Sequence, residues 1–156
     1  MQADRLLDRV LITELRPDDI SFIHDSWATT YRRKAHCRGL KAMHDMDFYS
    51  MHRRQRDDIL ARPGTLVLVA RGRERPIWIA AYAVFERLGD DFVAHWVYVR
   101  RRQQGLGGRL LVEALNRIGG GLKRLVATHK TDFAPKAQSM GFTFVPLDEL
   151  YAERAA

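Results

Sequence analysis

Apolar and polar positions alternate across residues 9–15, RVLITEL, with the two-residue period of a half-buried strand. The period then lengthens. Ile20, Ile23, Trp27 and Tyr31 recur at spacings of three and four, the apolar stripe of an amphipathic helix. Arg16-Pro17-Asp18-Asp19 opens that helix, with a proline suited to a first turn and two acids at the positive end of the helix dipole. Residues 32–43 are basic and read as irregular, and a second helix is expected from about Asp45 to Ala61, ending ahead of Pro63-Gly64. Three apolar runs follow, at 65–71, 77–86 and 92–99, joined by GRERP and RLGDD. Connections that short predict an antiparallel meander. RLLVEALNRI then reads as a helix stopped by Gly119-Gly120-Gly121. A short strand at 124–129, a brief helix from Ala134 to Met140 and a last strand at 141–146 complete the order. The expected class is α/β (α+β): β-α-α-β-β-β-α-β-α-β, with a mixed, mostly antiparallel central sheet flanked by helices, in one domain over 1–156.

Composition narrows this picture from the outside. Apolar residues make up 46% of the chain and charged residues 29%, ordinary values for a globular protein. No apolar run approaches the roughly 18 to 20 residues of a membrane span. The N-terminal stretch MQADRLLDRV mixes acids with bases and has no small-residue cleavage site, so no signal peptide and a cytoplasmic location are expected. Cys37 is the only cysteine, which excludes an internal disulfide and a cysteine-rich zinc site, and no metal is expected. The net charge of +7 and the pI of about 10.0 change the picture more, because they favour anionic partners. A phosphate-bearing cofactor, a nucleic acid and an acidic surface all qualify.

One stretch holds the candidate chemistry. Residues 97–115, VYVRRRQQGLGGRLLVEAL, run from an apolar strand through Arg100, Arg101 and Arg102 into glycines and then a helix. Glycine lets backbone approach a ligand, and a helix start presents unpaired N–H groups with a positive dipole end; together these bind phosphate. Two familiar nucleotide motifs fail here. Gly108-Arg109-Leu110 lacks the Gly-Lys-Ser/Thr of a P-loop, and the GxGxxG of a dinucleotide fold lacks its third glycine.

Arg102-Gln103-Gln104-Gly105-Leu106-Gly107 resembles the Arg/Gln-x-x-Gly-x-Gly/Ala signature of the GCN5-related N-acetyltransferases. Its position between the fourth strand and the next helix, the two helices after the first strand, the meander and the closing Gly141-Phe142 agree with that family over roughly residues 9 to 146. SWATTYRR in the first half also resembles small acetyltransferase-like proteins carried by tailed phages, which would make the host cytoplasm the location. The resemblance implies acetyl-CoA as cofactor, with the backbone N–H groups of Arg102, Gln103, Gln104, Gly105, Leu106 and Gly107, and then Gly108, around the pyrophosphate. It implies that the fourth strand, through Trp96, Val97, Tyr98 and Val99, pairs with the pantetheine arm and polarises the thioester carbonyl. Val99 is expected to be the last residue of that strand.

Acetyl transfer to an amine also needs proton handling. Many members of the family protonate the departing thiolate with a tyrosine four residues before the closing glycine, and Ala137 stands there instead. Three side chains are candidates to replace it. His95 lies on the fourth strand, where alternation puts it with Val93 and Val97 and opposite Trp96 and Tyr98. His129 ends the fifth strand, and Tyr98 has a phenol to donate. Packing in a core explains each of them equally simply. Glu86 and Asp91 lie near turns and are expected to be solvated. Trp27, Tyr31 and Arg32, at the end of the first helix, are the expected acceptor-side residues, and Arg32-Arg33-Lys34 suit an anionic acceptor. Cys37 has only the adjacent His36 as partner, a poor arrangement for a nucleophile. The leading expectation is an acetyl-CoA-dependent N-acetyltransferase acting on a small-molecule or peptide amine, as monomer or homodimer. A nucleic-acid-directed protein on the same fold and a catalytically silent CoA-binding module stay open beside it.

Overall fold

The structure, a computed structural model, describes residues 8–34, 38–100, 105–130 and 134–156. Six strands form one sheet in chain order. They are β1 (Val10–Glu14), β2 (Thr65–Gly72), β3 (Ile79–Leu88), β4 (Asp91–Val99), β5 (Arg124–Ala127) and β6 (Phe142–Phe144). The β1–β2, β2–β3 and β3–β4 pairs are antiparallel, as the short connections require. The β4–β5 and β5–β6 pairs are parallel and need crossovers. Helix α4 (Leu106–Ile118) and helix α5 (Ala134–Ser139) supply them.

Each face of the sheet buries a different core. On one, α4 lays Leu106, Leu110 and Ala114 against Leu68, Ala70, Ala81, Ala83 and Phe85. Their spacing of four along α4 is the stripe a helix needs to cover a sheet. On the other, α1 (Ile20–Lys34) and α3 (Asp45–Ala61) bring Ile23, Trp27 and Ile59 onto Val67, Val69, Tyr82, Val84 and Trp96. Helix α6 (Leu147–Ala155) extends this second face, packing Leu150 with Val93, Val126 and Val145. Among the described residues no helix is long and apolar enough to cross a membrane.

The architecture agrees with the expected mixed sheet and differs in four places, one of them β5, which ends at Ala127 and leaves His129 two residues beyond the strand it was expected to end. The first helix runs on through Lys34, and a short helix α2 (Arg38–Ala42) occupies part of the stretch expected to be irregular. The Arg32 guanidinium holds this connection together, donating to the carbonyls of Leu40 and Met43. The last strand is shorter than expected and is followed by α6, which the sequence pattern did not reveal. In α6 only Leu150 is fully buried, so its apolar periodicity is weak.

Candidate active site at the parting of β4 and β5

The β3–β4 register shifts between Val84 and Phe85: Trp96 stands opposite Val84 and Ala94 opposite Phe85, which leaves His95 as an extra residue in β4. Such a bulge breaks the two-residue alternation. His95 therefore shares the α1–α3 face with Val93, Trp96 and Tyr98, while Val97 turns to the α4 face. This corrects the expectation from strict alternation, which grouped His95 with Val97. Beyond the bulge the sheet parts. β5 pairs with β4 only from Asp91 to Ala94, and the last link across is Thr128 N–H to the Ala94 carbonyl at 3.3 Å. Trp96 through Val99 thus pair on the β3 side alone, His95 being bulged out of the register, and β4 does end at Val99.

The start of α4 lies under that free edge. Gly105 caps the helix with φ of 88°, a left-handed conformation that glycine adopts without strain, and among the described residues no cap side chain bonds the first-turn N–H groups. A Cβ on Gly107 would stand 3.4 Å from Val97 and 3.5 Å from Val99, so the helix start and the strand are in van der Waals reach. A Cβ on Gly105 or Gly108 would meet nothing within 4 Å, so both positions face open space. Arg102, Gln103 and Gln104 of the expected phosphate loop, with Arg101, lie outside the described residues, as do His36 and Cys37. Arg100 is turned elsewhere: its Nε donates to the Ile79 carbonyl, and its guanidinium lies 5.1 Å from the centre of the Phe22 ring.

On the α1–α3 face a buried polar chain runs toward the parting. Arg62, which caps α3, donates to Glu86 Oε1 at 2.6 Å, and the Tyr151 hydroxyl of α6 donates to Glu86 Oε2 at 2.9 Å. His95 Nε2 reaches the same Oε2 at 2.8 Å, and His95 Nδ1 meets Thr128 Oγ1 at 2.9 Å. Thr128 Oγ1 in turn meets His129 Nδ1 at 3.0 Å. Glu86, His95 and Thr128 are all buried. Burial acts to raise the Glu86 carboxyl, but the bonds from His95, Arg62 and Tyr151 outweigh it and hold the group below the usual carboxylate range. Burial lowers the His95 ring despite the pull of Glu86, and lowers His129 well below the ordinary histidine value. Glu86 and Asp91 were expected to be solvated, and the structure corrects both. Asp91 is 1% exposed and paired with Arg124 at 2.8 Å and Arg154 at 2.7 Å.

Rings enclose the end of this chain. His129, partly exposed, has its centroid 4.8 Å from Tyr31, 5.7 Å from Trp27, 5.9 Å from His52 and 6.1 Å from Trp96. Trp27 is fully buried and stacks on Trp96 at 6.0 Å, so it packs the core behind the site. Tyr31 lies at the site, half-buried. Arg32 commits its charge to the α1–α3 connection, with Asp45 at 3.2 Å and the Phe48 ring 4.6 Å away. Tyr98 stacks on Tyr82 at 5.3 Å, edge-on to Phe22 at 5.8 Å. Ala137, where the family's tyrosine would stand, packs against the apolar core on the α4 face.

Sequence reasoning set Glu86 aside as solvated and missed Thr128, Arg62 and Tyr151. Only the apolar context of Glu86, at the end of IAAYAVFE, hinted at its burial. It also missed a second buried cluster, where Arg56 Nε donates to His24 Nδ1 at 2.9 Å and Arg56 Nη1 to His52 Nδ1. Burial pushes His52 down to about 3.

No family model matches the sequence, and no curated protein does. Solved structures are similar over most of the chain. A Pyrococcus furiosus protein assigned as an acetyl transferase matches with a TM-score of 0.66 at 14% identity, over 88% of this chain and 95% of that one. A GNAT-family acetyltransferase from Brucella melitensis in complex with acetyl-CoA matches with a TM-score of 0.53 at 20% identity, covering 86% and 82%. An aminoglycoside 6'-N-acetyltransferase from Acinetobacter baumannii matches with a TM-score of 0.51 at 11% identity, covering 86% and 90%. The fold is that of the GNAT acetyltransferases.

Proposed function

We propose that this chain transfers an acetyl group from acetyl-CoA to an amine. The observation that carries the reading is the junction of β4's free edge with the uncapped glycine start of α4. One protein of the same fold is described with acetyl-CoA bound. The residues at the junction fit the cofactor. The open space beside Gly105 and Gly108 lets a diphosphate reach the first-turn N–H groups, Leu106 and Gly107 included, with the helix dipole behind them. Arg102, Gln103 and Gln104 would extend that cradle, and the backbone of Trp96, Val97, Tyr98 and Val99 would pair with the pantetheine amides. Acetyl-CoA supplies an activated thioester whose acyl carbon the acceptor nitrogen attacks, forming the amide and releasing the thiol.

The acceptor enters from the face of Tyr31 and His129. Among the described residues, the groups against His129 are rings, one hydroxyl and the backbone of His95, none of them anionic. Such a wall gives a polycation no counter-charge and suits an amine that is neutral near pH 7, in a small molecule or a peptide. The test is mass spectrometry of products after incubation with acetyl-CoA and pooled acceptors of different basicity: aryl amines, peptides, polyamines and aminoglycosides. The reading expects acetylated product, first among the weakly basic amines. Unmodified acceptors in every pool, with acetyl-CoA intact, would overturn it.

A further inference from the structure

The orientation of each hydrogen bond in the Glu86–His95–Thr128–His129 chain follows from counting protons. Glu86 is held as a carboxylate by Arg62 and Tyr151, so both its oxygens only accept. His95 Nε2, 2.8 Å from Oε2, must then carry the hydrogen. A neutral imidazole has one donor and one acceptor nitrogen, which makes His95 Nδ1 the acceptor. The Thr128 hydroxyl, 2.9 Å away, donates its single hydrogen to it. Thr128 Oγ1 can therefore only accept from His129 Nδ1 at 3.0 Å. That places the hydrogen of neutral His129 on Nδ1 and leaves the lone pair on Nε2, in the ring that reaches the parting of β4 and β5.

We propose that Glu86, His95 and Thr128 are positioning residues that fix this tautomer, and that His129 Nε2 is the catalytic proton carrier of the cleft. The inference rests on the acetyl-transfer reading above. As the C–N bond forms and the C–S bond breaks, His129 Nε2 takes the proton lost by the acceptor nitrogen and passes it to the departing sulfur. The charge on the ring returns to zero, no further reactant is needed, and the donor missing at Ala137 is replaced. His95 does not itself face the cleft, since both its nitrogens are engaged and its side chain is fully buried. The depressed pKa of His129 suits this role, because its imidazolium is acidic enough to protonate a thiolate readily. Among the described residues, the groups facing the ring are Tyr31 and Trp27 from α1, His52 from α3, Trp96 and the hydrogen-bonding backbone of His95 from β4, and Thr128 beside it, with Arg56 behind His52.

The direct test reads nitrogen shifts of the histidine rings in the 15N-labelled protein at neutral pH, with no cofactor or acceptor added. His129 should carry hydrogen on Nδ1 and His95 on Nε2. Thr128→Val, which removes the hydroxyl at nearly constant shape, should release His129 from the Nδ1–H form, and Thr128→Ser should keep it. In turnover assays His129→Gln should lower kcat roughly 100-fold or more, and Thr128→Val about tenfold, with KM for acetyl-CoA unchanged. Thr128→Ser should restore most of the rate. A wild-type His129 protonated on Nε2, or wild-type kcat in Thr128→Val, would overturn the proposal. Failure of every acceptor pool to be acetylated would sink the acetyl-transfer reading instead, and the nitrogen shifts would still judge the relay.

Discussion

On the α4 side of the sheet, Leu68, Ala70, Ala81, Ala83 and Phe85 meet Leu106, Leu110 and Ala114, an interior of apolar side chains. On the α1–α3 side, the same strands and the helices above them bury Asp19, His24, His52, Arg56, Arg71, Glu86 and His95. The first face needs only shape and area. The second needs a partner for nearly every polar atom, because an unpaired buried group costs about 1–3 kcal/mol. It finds most of them: Arg71 with Asp19 at 2.6 Å, Arg62 with Glu86, Arg56 with two imidazoles. Trp27 Nε1 and His52 Nε2 stay unsatisfied, close to the rings around His129. One face is closed by apolar shape, then, and the other combines an apolar core with the buried polar chain of the proposed site.

The largest expected effect tests the apolar face. Leu110 is fully buried, and Leu110→Ala should lower unfolding free energy by roughly 3–5 kcal/mol, measured by urea denaturation. Activity per folded molecule should change little, since Leu110 touches nothing in the Glu86–His129 chain. A variant that stays stable but loses turnover would blur the division between the faces.

Acid should act on the other face. His24, His52, His95 and His129 are all lowered below the ordinary 6.5, so the folded state binds fewer protons than the unfolded chain. Their contribution is complete above about pH 6.5 and is lost as pH falls from there toward the folded values. For His52, lowered to about 3, the loss by pH 4 is on the order of 3 kcal/mol. Replacing His52 with Phe should flatten the slope of stability against pH between about 6.5 and 4.5. An unchanged slope would mean that His52 titrates normally. A smaller effect probes the stop of α4. Gly119 has φ of 86°, so Gly119→Ala should cost about 1–2 kcal/mol by the same denaturation measurement, with turnover untouched.

What the sequence revealed follows the same division. The strands, the meander and the Gly105–Gly107 helix start could be read because each depends on neighbours within a few positions. The face of His95 could not, because the bulge that turns it exists only in the pairing with β3. Glu86 looked solvated because its partners are distant in sequence: Arg62 lies 24 residues before it and Tyr151 65 after it. Asp91 was misread in the same way, its partners being Arg124 on β5 and Arg154 on α6. Pro146, with Asp148 and Glu149 in the first turn, was the signal for α6 that periodicity failed to give.

The central claim is that the Gly105–Gly108 helix start under β4's free edge holds acetyl-CoA. Calorimetric titration of acetyl-CoA into wild type and Gly107→Val tests it directly. In the variant, two methyls extend beyond a Cβ that already stands 3.4 Å from Val97 and 3.5 Å from Val99 and close the approach between the first turn of α4 and the strand edge, whereas helix propensity favours Val slightly over Gly, so the helix start should persist. Wild type should bind saturably, and the variant should not bind while melting within a few degrees of wild type. No saturable binding to wild type, or equal affinity in both proteins, would contradict the claim.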